Sequence, residues 1–323
     1  MKVIHFVMSD CFAGIEQHVD ELLVSNSSSD SILICNKRIA KYFNQKINIK
    51  KINNFGRNSL FGKYKLKKLL KDINPDIVHT HGSKTTSIIN SFKKDYKHVA
   101  TIHGIKKNKK VYEKCDLAIG VSSKAIEDIK NNSMIISNWW HPQLKKPIIK
   151  KNTYALAVGR LEKVKGFDLL ISSWINIKTN LVIVGSGKEK NNLLKIIEKN
   201  NLSNKIKIID EVDRESLISY YEEASVLIVS SRNEGGPRVA LEALYLGIPV
   251  LSTNVGHMSD ILPNELLAKK NDQKSLQQLL ERYVDDINLI DQQAIFSFVD
   301  EEFSVRQKML EINEAYRSLL SKC

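Results

Sequence analysis

The sequence predicts an α/β protein with two doubly wound domains, each built on a parallel sheet. Short apolar strand patterns alternate with amphipathic helical patterns along the 323 residues, which is typical of parallel α/β layers. The alternation is interrupted once, by the proline- and lysine-containing segment 141–152, and then restarts. A hydrophobic content of 42% is sufficient for a core in each half.

The N-terminal half is predicted as a domain of residues 1–140. Its first strand, at 3–8, is preferred to a signal peptide because Asp10 ends the apolar run. Further strands are predicted at 31–35, 76–81, 98–104, 117–122 and 134–138. The predicted helices span 15–25, about 60–73, 84–94 and 123–131. Residues 141–152 lack a helical period and are predicted to form an exposed linker.

The C-terminal half is predicted as a second domain of residues 153–303. Its strands are expected at 154–160, 180–185, 205–210, 225–231 and 248–253, and its helices at 166–174, 188–200, 214–223, 237–246 and 273–284. A C-terminal helix within 304–323 can pack on either half, and packing back on the N-terminal domain is one of the two arrangements left open. Two such domains are expected to form a cleft at the carboxyl ends of their sheets, where doubly wound folds bind ligands.

Charge is distributed unevenly between the halves. Residues 1–150 contain 27 Lys+Arg and 12 Asp+Glu, a balance of +15, whereas residues 151–323 contain 22 and 24, a balance of −2. The N-terminal half is therefore expected to face an anionic partner, such as a membrane surface, a nucleic acid or a phosphorylated substrate. A lysine-rich source composition does not explain why the excess lies in one half.

The cysteines and the apolar runs indicate the setting of the chain. Cys11, Cys35, Cys115 and Cys323 have neither metal-ligand spacing nor a disulfide framework, which favours a reduced, cytoplasmic setting. No apolar run approaches the roughly 20 residues that a membrane-spanning helix requires. We therefore predict no metal site and no transmembrane segment.

Two glycine-containing loops of the C-terminal half can bind an anion. GRLEKVKGF (159–167) follows the first strand and contains Arg160 and Lys165, two cations that suit a diphosphate. GSGKE (185–189), which begins at Gly185, is a tight turn into a helix but lacks the spacing of a phosphate-binding P-loop. A solvated pair of basic side chains and a plain strand–helix turn are the alternative interpretations.

The strongest local pattern is RNEGGPRVALEAL (232–244). Gly235 and Gly236, before Pro237, free the backbone to approach a phosphate at a helix start. Glu234 and Glu242 bracket this helix start, and they suit the binding of polyhydroxyl groups better than the acid/base pair of a glycosidase. For Glu242, a carboxylate paired with a buried arginine is the alternative.

Together these motifs resemble the retaining GT-B glycosyltransferases of glycosyltransferase family 4. The pattern GR-L-x(3)-KG-x(3)-LI is followed by VGxG and by E-G-x-P-x(4)-E-A. Further similar segments are AGIEQHV (13–19), DIVHTHGSK (76–84), TIHG (101–104) and CDLAIGVS (115–122). The resemblance extends over essentially the whole chain. It implies a GT-B fold of two Rossmann-like domains with an interdomain cleft, and a nucleotide-sugar donor as substrate without a cofactor or a metal.

The resemblance also implies the site residues. Arg160 and Lys165 would hold the nucleotide diphosphate and stabilise the leaving group. Glu234 would bind hydroxyls of the donor sugar. His103 would contact the donor sugar and orient the reacting centre, and the resemblance does not assign it the role of a base. Glu242 would bind the ribose, Val212 and Asp213 would lie near the base, and Gly14 would let the first loop approach the diphosphate. The implied donor-binding residues are Gly14, Gly185, Val212, Asp213, Gly235, Gly236, Pro237, Arg238, Val239 and Glu242.

The acceptor and the partner surface also follow from the resemblance. We expect a hexose or N-acetylhexosamine to pass from a nucleotide sugar, UDP-linked in our hypothesis, to a lipid-linked or saccharide acceptor in lipopolysaccharide, capsule or related surface-glycan synthesis. Helix 60–73 places Phe61 and other apolar residues among five lysines, and the basic N-terminal domain is expected to contact anionic lipid on the inner face of the plasma membrane. A helix that only covers the sheet is the alternative.

Two other functions remain open from the sequence. A nucleotide-sugar epimerase or hydrolase of similar two-domain fold would be expected to use a different set of acid/base residues. A non-catalytic nucleic-acid-binding protein would interleave aromatic residues with its basic patches, and the sequence lacks such a pattern. We therefore predict no nucleic-acid partner.

Overall fold

The chain folds as two compact units. The structure is a computed structural model that describes residues 1–26, 30–130, 132–146 and 153–321. Unit 1 comprises Met1–Asn138 and Val305–Cys323, and unit 2 comprises Trp139–Ser304. The C-terminal helix therefore belongs to unit 1, one of the two arrangements that the sequence left open.

Unit 1 is built on a seven-stranded sheet. Its strands are β1 (Lys2–Phe6), β2 (Asp30–Asn36), β3 (Asn48–Ile52), β4 (Ile77–His81), β5 (Lys97–Ile102), β6 (Leu117–Gly120) and β7 (Ser133–Ile135). They lie in the order β3-β2-β1-β4-β5-β6-β7, and all neighbours are parallel. The strand order reverses between β1 and β4, which is the position where doubly wound folds bind ligands.

The helices of unit 1 cover the central strands. They are α1 (Gly14–Ser25), α2 (Leu60–Ile73), α3 (Ser83–Ile89), α4 (Ser123–Ile126) and, at the end of the chain, α12 (Val305–Ser321). Every residue of β4 is buried, as expected for a parallel strand with both faces covered. Local capping sets the ends of α2. The Ser59 hydroxyl accepts the Gly62 amide at 3.2 Å, and Asn74 ends the helix in a left-handed conformation.

Strand β3 is absent from the sequence prediction. It lies at the edge of the sheet, and its sequence, NIKKI, contains no fully buried residue. An edge strand rich in lysine is a common protection against pairing with another chain, and it removes the apolar signal by which a strand is recognised.

Unit 2 has a six-stranded sheet of the same topology. Its strands are β8 (Tyr154–Val158), β9 (Leu181–Val184), β10 (Ile206–Ile209), β11 (Ala224–Val229), β12 (Val250–Thr253) and β13 (Leu267–Ala268). The order β10-β9-β8-β11-β12-β13 is again parallel throughout, with its reversal between β8 and β11. The predicted fold class, two parallel-sheet Rossmann-like domains, is confirmed.

Seven helices are described in unit 2. They are α5 (Phe167–Ser172), α6 (Lys190–Lys199), α7 (Arg214–Glu223), α8 (Arg238–Tyr245), α9 (Met258–Ile261), α10 (Gln273–Tyr283) and α11 (Gln293–Glu302). The sequence analysis lacks the short β13 and α9, and also α11. Across both units, no described helix combines the length and the apolar character needed to cross a membrane.

The described part of the predicted linker 141–152 is only partly exposed: Gln143, Lys145 and Lys146 are exposed, whereas two other residues are buried. His141 is 9% exposed and Leu144 4%, and Leu144 belongs to the core of unit 2. Just before it, Trp140 stacks on Tyr245 of α8 with ring centroids 3.8 Å apart. The apolar side chains therefore outweigh the prolines and lysines here. Residues 147–152, like Cys323, lie outside the described residues.

Candidate functional site

Lys165 and Glu234 meet at the switch point of unit 2. They follow β8 and β11, the strands between which the order reverses. Nζ of Lys165 donates to Oε1 of Glu234 at 2.5 Å, and the Ser231 hydroxyl donates to the same oxygen at 2.9 Å. The two side chains are 19% and 17% exposed. A pocket lined in part by this pair measures only about 10 Å³.

The loop that carries Lys165 is fixed against the end of β11. Gly166 has a φ of 69°, and a Cβ there would stand 2.1 Å from the Ser230 carbonyl oxygen, so only glycine fits. Arg232 makes two parallel hydrogen bonds to Asp168, at 2.6 and 2.7 Å, and a third to the Lys163 carbonyl. Although burial opposes it, the Arg232 hydrogen bonds hold the pKa of Asp168 below its usual value.

Arg232 and Asp168 were missed by the sequence analysis. Both stand inside the motifs described above, but a salt bridge between segments 64 residues apart leaves no local pattern. Their two parallel hydrogen bonds hold the Lys165 loop in one geometry. Arginine can make such a bidentate contact with a carboxylate, whereas lysine cannot.

Arg160 and Gly185 lie on the loops after β8 and β9. The Arg160 side chain is 69% exposed and donates to Glu162 at 2.6 Å. A Cβ on Gly185 would stand 1.9 Å from the Gly159 carbonyl oxygen, so the two loops touch through their backbones. Arg160 is therefore accessible, and a stronger anion can replace its partner Glu162, whose side chain is 33% exposed.

The Gly-Gly-Pro turn leads into α8 as predicted. Pro237 is the residue before the helix, whose first residue is Arg238. Nε of Arg238 donates to the Trp139 carbonyl at 3.2 Å, and Val239 is partly buried. Within this first turn the Ala240 amide donates to the Pro237 carbonyl at 3.2 Å. The positive end of the helix dipole is the general basis of anion binding at a helix start.

Glu242 lies inside unit 2 and is 2% exposed. Its Oε1 accepts from Arg214 at 2.7 Å, and its Oε2 accepts from the Tyr221 hydroxyl at 3.0 Å. Burial, with the Glu242 carboxylate beside it, raises the pKa of Tyr221 well above its usual value. The alternative given for Glu242, a carboxylate paired with a buried arginine, matches in part: the carboxylate is buried and paired, but the Arg214 side chain is 32% exposed. Ribose binding stays a prediction.

Val212 and Asp213 lie between β10 and α7. Asp213 is the cap of α7, where its carboxylate accepts the Ser216 amide at 2.8 Å, and this hydrogen bond lowers the pKa of Asp213. Val212 packs against the core of unit 2. Their proximity to a nucleotide base stays a prediction.

Gly14 is the first residue of α1 in unit 1. No atom of the described residues lies within 4 Å of the position that a Cβ on Gly14 would take, so the backbone there is open to approach. Next to it, Glu16 accepts the Ala13 amide at 3.0 Å and the Ser9 hydroxyl at 2.6 Å, which fixes the loop before the helix.

His103 belongs to a cluster of histidines at the centre of unit 1. His5 on β1 is paired in register with His79 on β4, and His81 lies two residues further on the same face. His103 follows β5, and the ring of His18 on α1 packs against it edge-on with centroids 4.6 Å apart. His5, His18, His79 and His81 are all at most 5% exposed.

Burial keeps the imidazoles of His5, His79, His81 and His103 neutral. It lowers the pKa of His5 and of His103 to about 3, and the pKa of His79 and His81 falls well below the usual value because neighbouring histidines add to the burial. The sequence analysis selected His103 alone. The missed signal was the HTH at 79–81, since alternate residues of a strand share one face.

Two family models match the chain in succession. Residues 6–129 match the description "Glycosyl transferase 4-like", and residues 142–294 match "Glycosyl transferases group 1". The chain is a glycosyltransferase with the GT-B fold. Each model falls within one of the two parallel-sheet units, and between them they span most of the glycosyltransferase.

Known proteins similar to this glycosyltransferase agree with the assignment. The uncharacterized glycosyltransferase MJ1178 of Methanocaldococcus jannaschii is 28% identical over 259 residues, which cover 72% of this chain and 73% of the relative. The amylovoran biosynthesis glycosyltransferase AmsD of Erwinia amylovora is 32% identical over 38% of this chain and 39% of its own. The Anabaena Alr3699/HepE structure, in complex with UDP and glucose, superposes with a TM-score of 0.81 at 16% identity, over 98% of this chain and 100% of that chain.

Proposed function

We propose that this enzyme is a retaining, metal-independent family 4 glycosyltransferase. In this proposal it transfers a hexose or N-acetylhexosamine from a UDP-sugar to a lipid-linked or saccharide acceptor during surface-glycan synthesis. The observation that carries the proposal is the part-buried Lys165–Glu234 pair beside the start of α8. The named activity of AmsD in amylovoran biosynthesis, and UDP and glucose in the HepE complex, support the glycan and the donor.

The donor diphosphate would exchange partners with this ion pair. In the absence of donor, the Lys165 ammonium neutralises Glu234. A diphosphate carries more charge than a carboxylate, so Lys165 would turn to the phosphate oxygens, joined by Arg160 and by the positive end of the α8 dipole. The released oxygens of Glu234 would then accept hydrogen bonds from sugar hydroxyls. Charge on the departing nucleoside diphosphate is stabilised by these fixed donors.

Retention follows in this proposal from the state of the two carboxylates. Glu234 is bound to Lys165 and Ser231, and Glu242 is buried against Arg214 and Tyr221. Neither is placed as a free nucleophile. The acceptor hydroxyl would therefore attack on the face from which the diphosphate leaves, its proton passing to the leaving phosphate, while the bond between the anomeric carbon and the phosphate oxygen breaks.

Unit 1 is proposed to bind the acceptor in a polar pocket of about 530 Å³. Asp10, one of its lining residues, accepts from Asn36 at 3.0 Å and from Asn54 at 2.9 Å, and Asn54 accepts from Lys84 at 2.5 Å. Amides and a carboxylate with remaining hydrogen-bond capacity suit the hydroxyls of a saccharide. Arg38, with its side chain 74% exposed, adds a cation for an acidic sugar or a phosphate.

Contact with an anionic membrane is proposed through the start of α2. Leu60, Phe61 and Tyr64 are 84%, 68% and 68% exposed, and Nζ of Lys65 lies 4.2 Å from the centre of the Phe61 ring. A second groove, of about 530 Å³ and lined by Phe61 and Lys65, adjoins this turn. Exposed apolar side chains among lysines suit a peripheral position on the inner face of the plasma membrane.

The test of the donor site is nucleoside diphosphate release from a panel of UDP-, GDP- and ADP-sugars, with octyl glycosides of common hexoses as acceptor probes. Lys165→Ala is expected to lower kcat/KM by about 10²–10³-fold, the usual cost of one charge-stabilising donor. Glu234→Ala is expected to raise KM for the donor and to lower kcat. The matched control is Lys146→Ala, which breaks a 2.5 Å ion pair with Asp300 elsewhere in unit 2.

Each part of the proposal has a result that would contradict it. Activity that survives both Lys165→Ala and Glu234→Ala, or that falls equally in Lys146→Ala, would remove the site. A product whose anomeric configuration, read by NMR, is opposite to that of the donor would remove the retaining mechanism. Conversion of the donor to an epimer without release of nucleotide would favour the epimerase alternative.

A further inference from the structure

Three histidines of unit 1 form a hydrogen-bonded chain that ends inside the protein. Nε2 of His103 lies 3.1 Å from Nδ1 of His81, and Nε2 of His81 lies 3.1 Å from Nδ1 of His5. At the inner end, Nε2 of His5 is buried and has no hydrogen-bond partner among the described residues. At the outer end, His103 is only partly buried, and within the same residues its Nδ1 makes no hydrogen bond.

Proton counting restricts this chain to two states. A neutral imidazole carries one proton, and burial keeps all three rings neutral. Each of the two nitrogen–nitrogen hydrogen bonds needs one proton, and His81 must donate one bond and accept the other. The protons therefore all point outward, so that His103 presents an Nδ1–H, or all point inward, so that His5 carries an Nε2–H.

The buried end decides between the two states. In the inward state, an N–H group of His5 would be enclosed without an acceptor, and genuinely orphaned buried N–H groups are rarer than orphaned acceptors. In the outward state, His5 leaves only a lone pair unpaired. The outward state is therefore favoured. The blind inner end also excludes a proton relay, because no proton can enter the chain at His5.

We propose that His5 and His81 are positioning residues that lock His103 in its Nδ1–H tautomer, so that its outward nitrogen donates a hydrogen bond to the substrate and cannot act as a base. The other contacts support the lock. His79 stacks on His81 with centroids 4.3 Å apart and is itself held by the hydroxyls of Tyr316 and Thr101, at 2.5 and 2.7 Å. His18 packs edge-on against His103.

A metal ion is the competing use of these side chains. The sets His5, His79, His81 and His18, His81, His103 each bring three ring nitrogens within 4.8 Å of one another. However, both ring nitrogens of His79 and both of His81 already have hydrogen-bond partners. A zinc ion would need lone pairs that these hydrogen bonds occupy.

The direct test is the tautomer of each histidine in the donor-free protein, read from long-range ¹H–¹⁵N correlations of the ¹⁵N-histidine-labelled full chain. Nδ1 of His103 is expected to be protonated and Nε2 unprotonated. In His5→Phe, which removes the inner donor, His81 is released and His103 is expected to become a mixture of tautomers. The control is His98→Phe. His98 is a buried histidine on β5 whose hydrogen bonds go to Thr80 and Asn90, and not to His5, His81 or His103.

The tautomer lock rests on the proposed function only for its kinetic effect. Its failure can therefore be distinguished from a failure of the proposed function. With the donor that is turned over best, His5→Phe is expected to raise KM about threefold. This value follows if about a third of the molecules hold His103 as the Nδ1–H tautomer, because apparent affinity falls with the fraction of the competent state. An Nε2-protonated His103 in the native protein, an unchanged tautomer in His5→Phe, or one metal per chain by elemental analysis would overturn the lock. Failure of every donor would overturn the proposed function and leave the NMR result standing.

Discussion

The two units place different chemistry at the same point of the same topology. At the switch point of unit 2, charged Lys165 and Glu234 lie on loops after the strands and remain partly exposed. At the switch point of unit 1, the polar residues lie within the strands themselves, and His5, His79 and His81 are fully enclosed and neutral. The comparison teaches that position along the strand decides the charge a group can carry, because a covered parallel sheet cannot solvate an ion.

The largest expected difference between the two units is in how their stability falls at acidic pH. The pKa values of His5, His98 and His103 are lowered to about 3 by burial, whereas unit 2 has His141, with a pKa lowered to about 4. The folded state leaves these groups neutral while the unfolded chain binds protons below a pKa of about 6.5. Their stabilisation is therefore present above that pH and is lost as the pH falls toward 3, by about 1.4 kcal/mol per pH unit for each histidine.

Hydrogen exchange followed by mass spectrometry at pH 7.5, 6 and 5 checks this prediction. Peptides from β1 and β4 are expected to lose protection before peptides from β8 and β11, after correction for the intrinsic exchange rate. In His98→Phe, the loss of stability of unit 1 with falling pH should be smaller by the contribution of one histidine, about 1.4 kcal/mol per pH unit. Equal loss of protection in both units would contradict the contrast drawn between them.

Glu242 sharpens the comparison, since it is a charged group that unit 2 does bury. Glu242→Ala leaves Arg214 and Tyr221 without their partner and is expected to lower the free energy of unfolding by about 3 kcal/mol. Urea unfolding measures this, with Glu211→Ala at an exposed position as control. Stability unchanged in Glu242→Ala would show that the pair is not structural. The donor KM of Glu242→Gln is then compared with that of the native protein under conditions in which both are folded. This comparison separates a role in ribose binding from a role in stability.

The smallest expected effect concerns the surface of unit 1. Leu60→Ser combined with Phe61→Ser is expected to weaken binding to anionic vesicles about tenfold or more, because two inserted apolar side chains are lost. Flotation with vesicles of phosphatidylglycerol and phosphatidylcholine measures the binding. Leu310→Ser removes an exposed leucine from α12 and should change nothing. Equal binding to anionic and neutral vesicles, or none to either, would remove the membrane proposal.

Much of the fold follows from local sequence. Helices 60–73 and 214–223 are predicted with their observed bounds, because a capping Ser59 or Asp213 precedes an amphipathic run. Elements without such a signal are missed: β3 is polar because it is an edge strand, and β13 has only two residues. Helices α3 and α4 are shorter than predicted, ending at Ile89 and Ile126.

Local sequence patterns are enough to predict the α/β class, the restart of the pattern in the second half, and the loops that carry Arg160, Lys165 and Glu234. These follow from periodicity, glycine and proline placement, and motif spacing, which are local properties. Only the tertiary structure decided the partners: Glu234 with Lys165, Glu242 with Arg214, and His103 with His81. Parallel strands bring distant segments together, so the environment of a side chain depends on residues that its own segment does not contain.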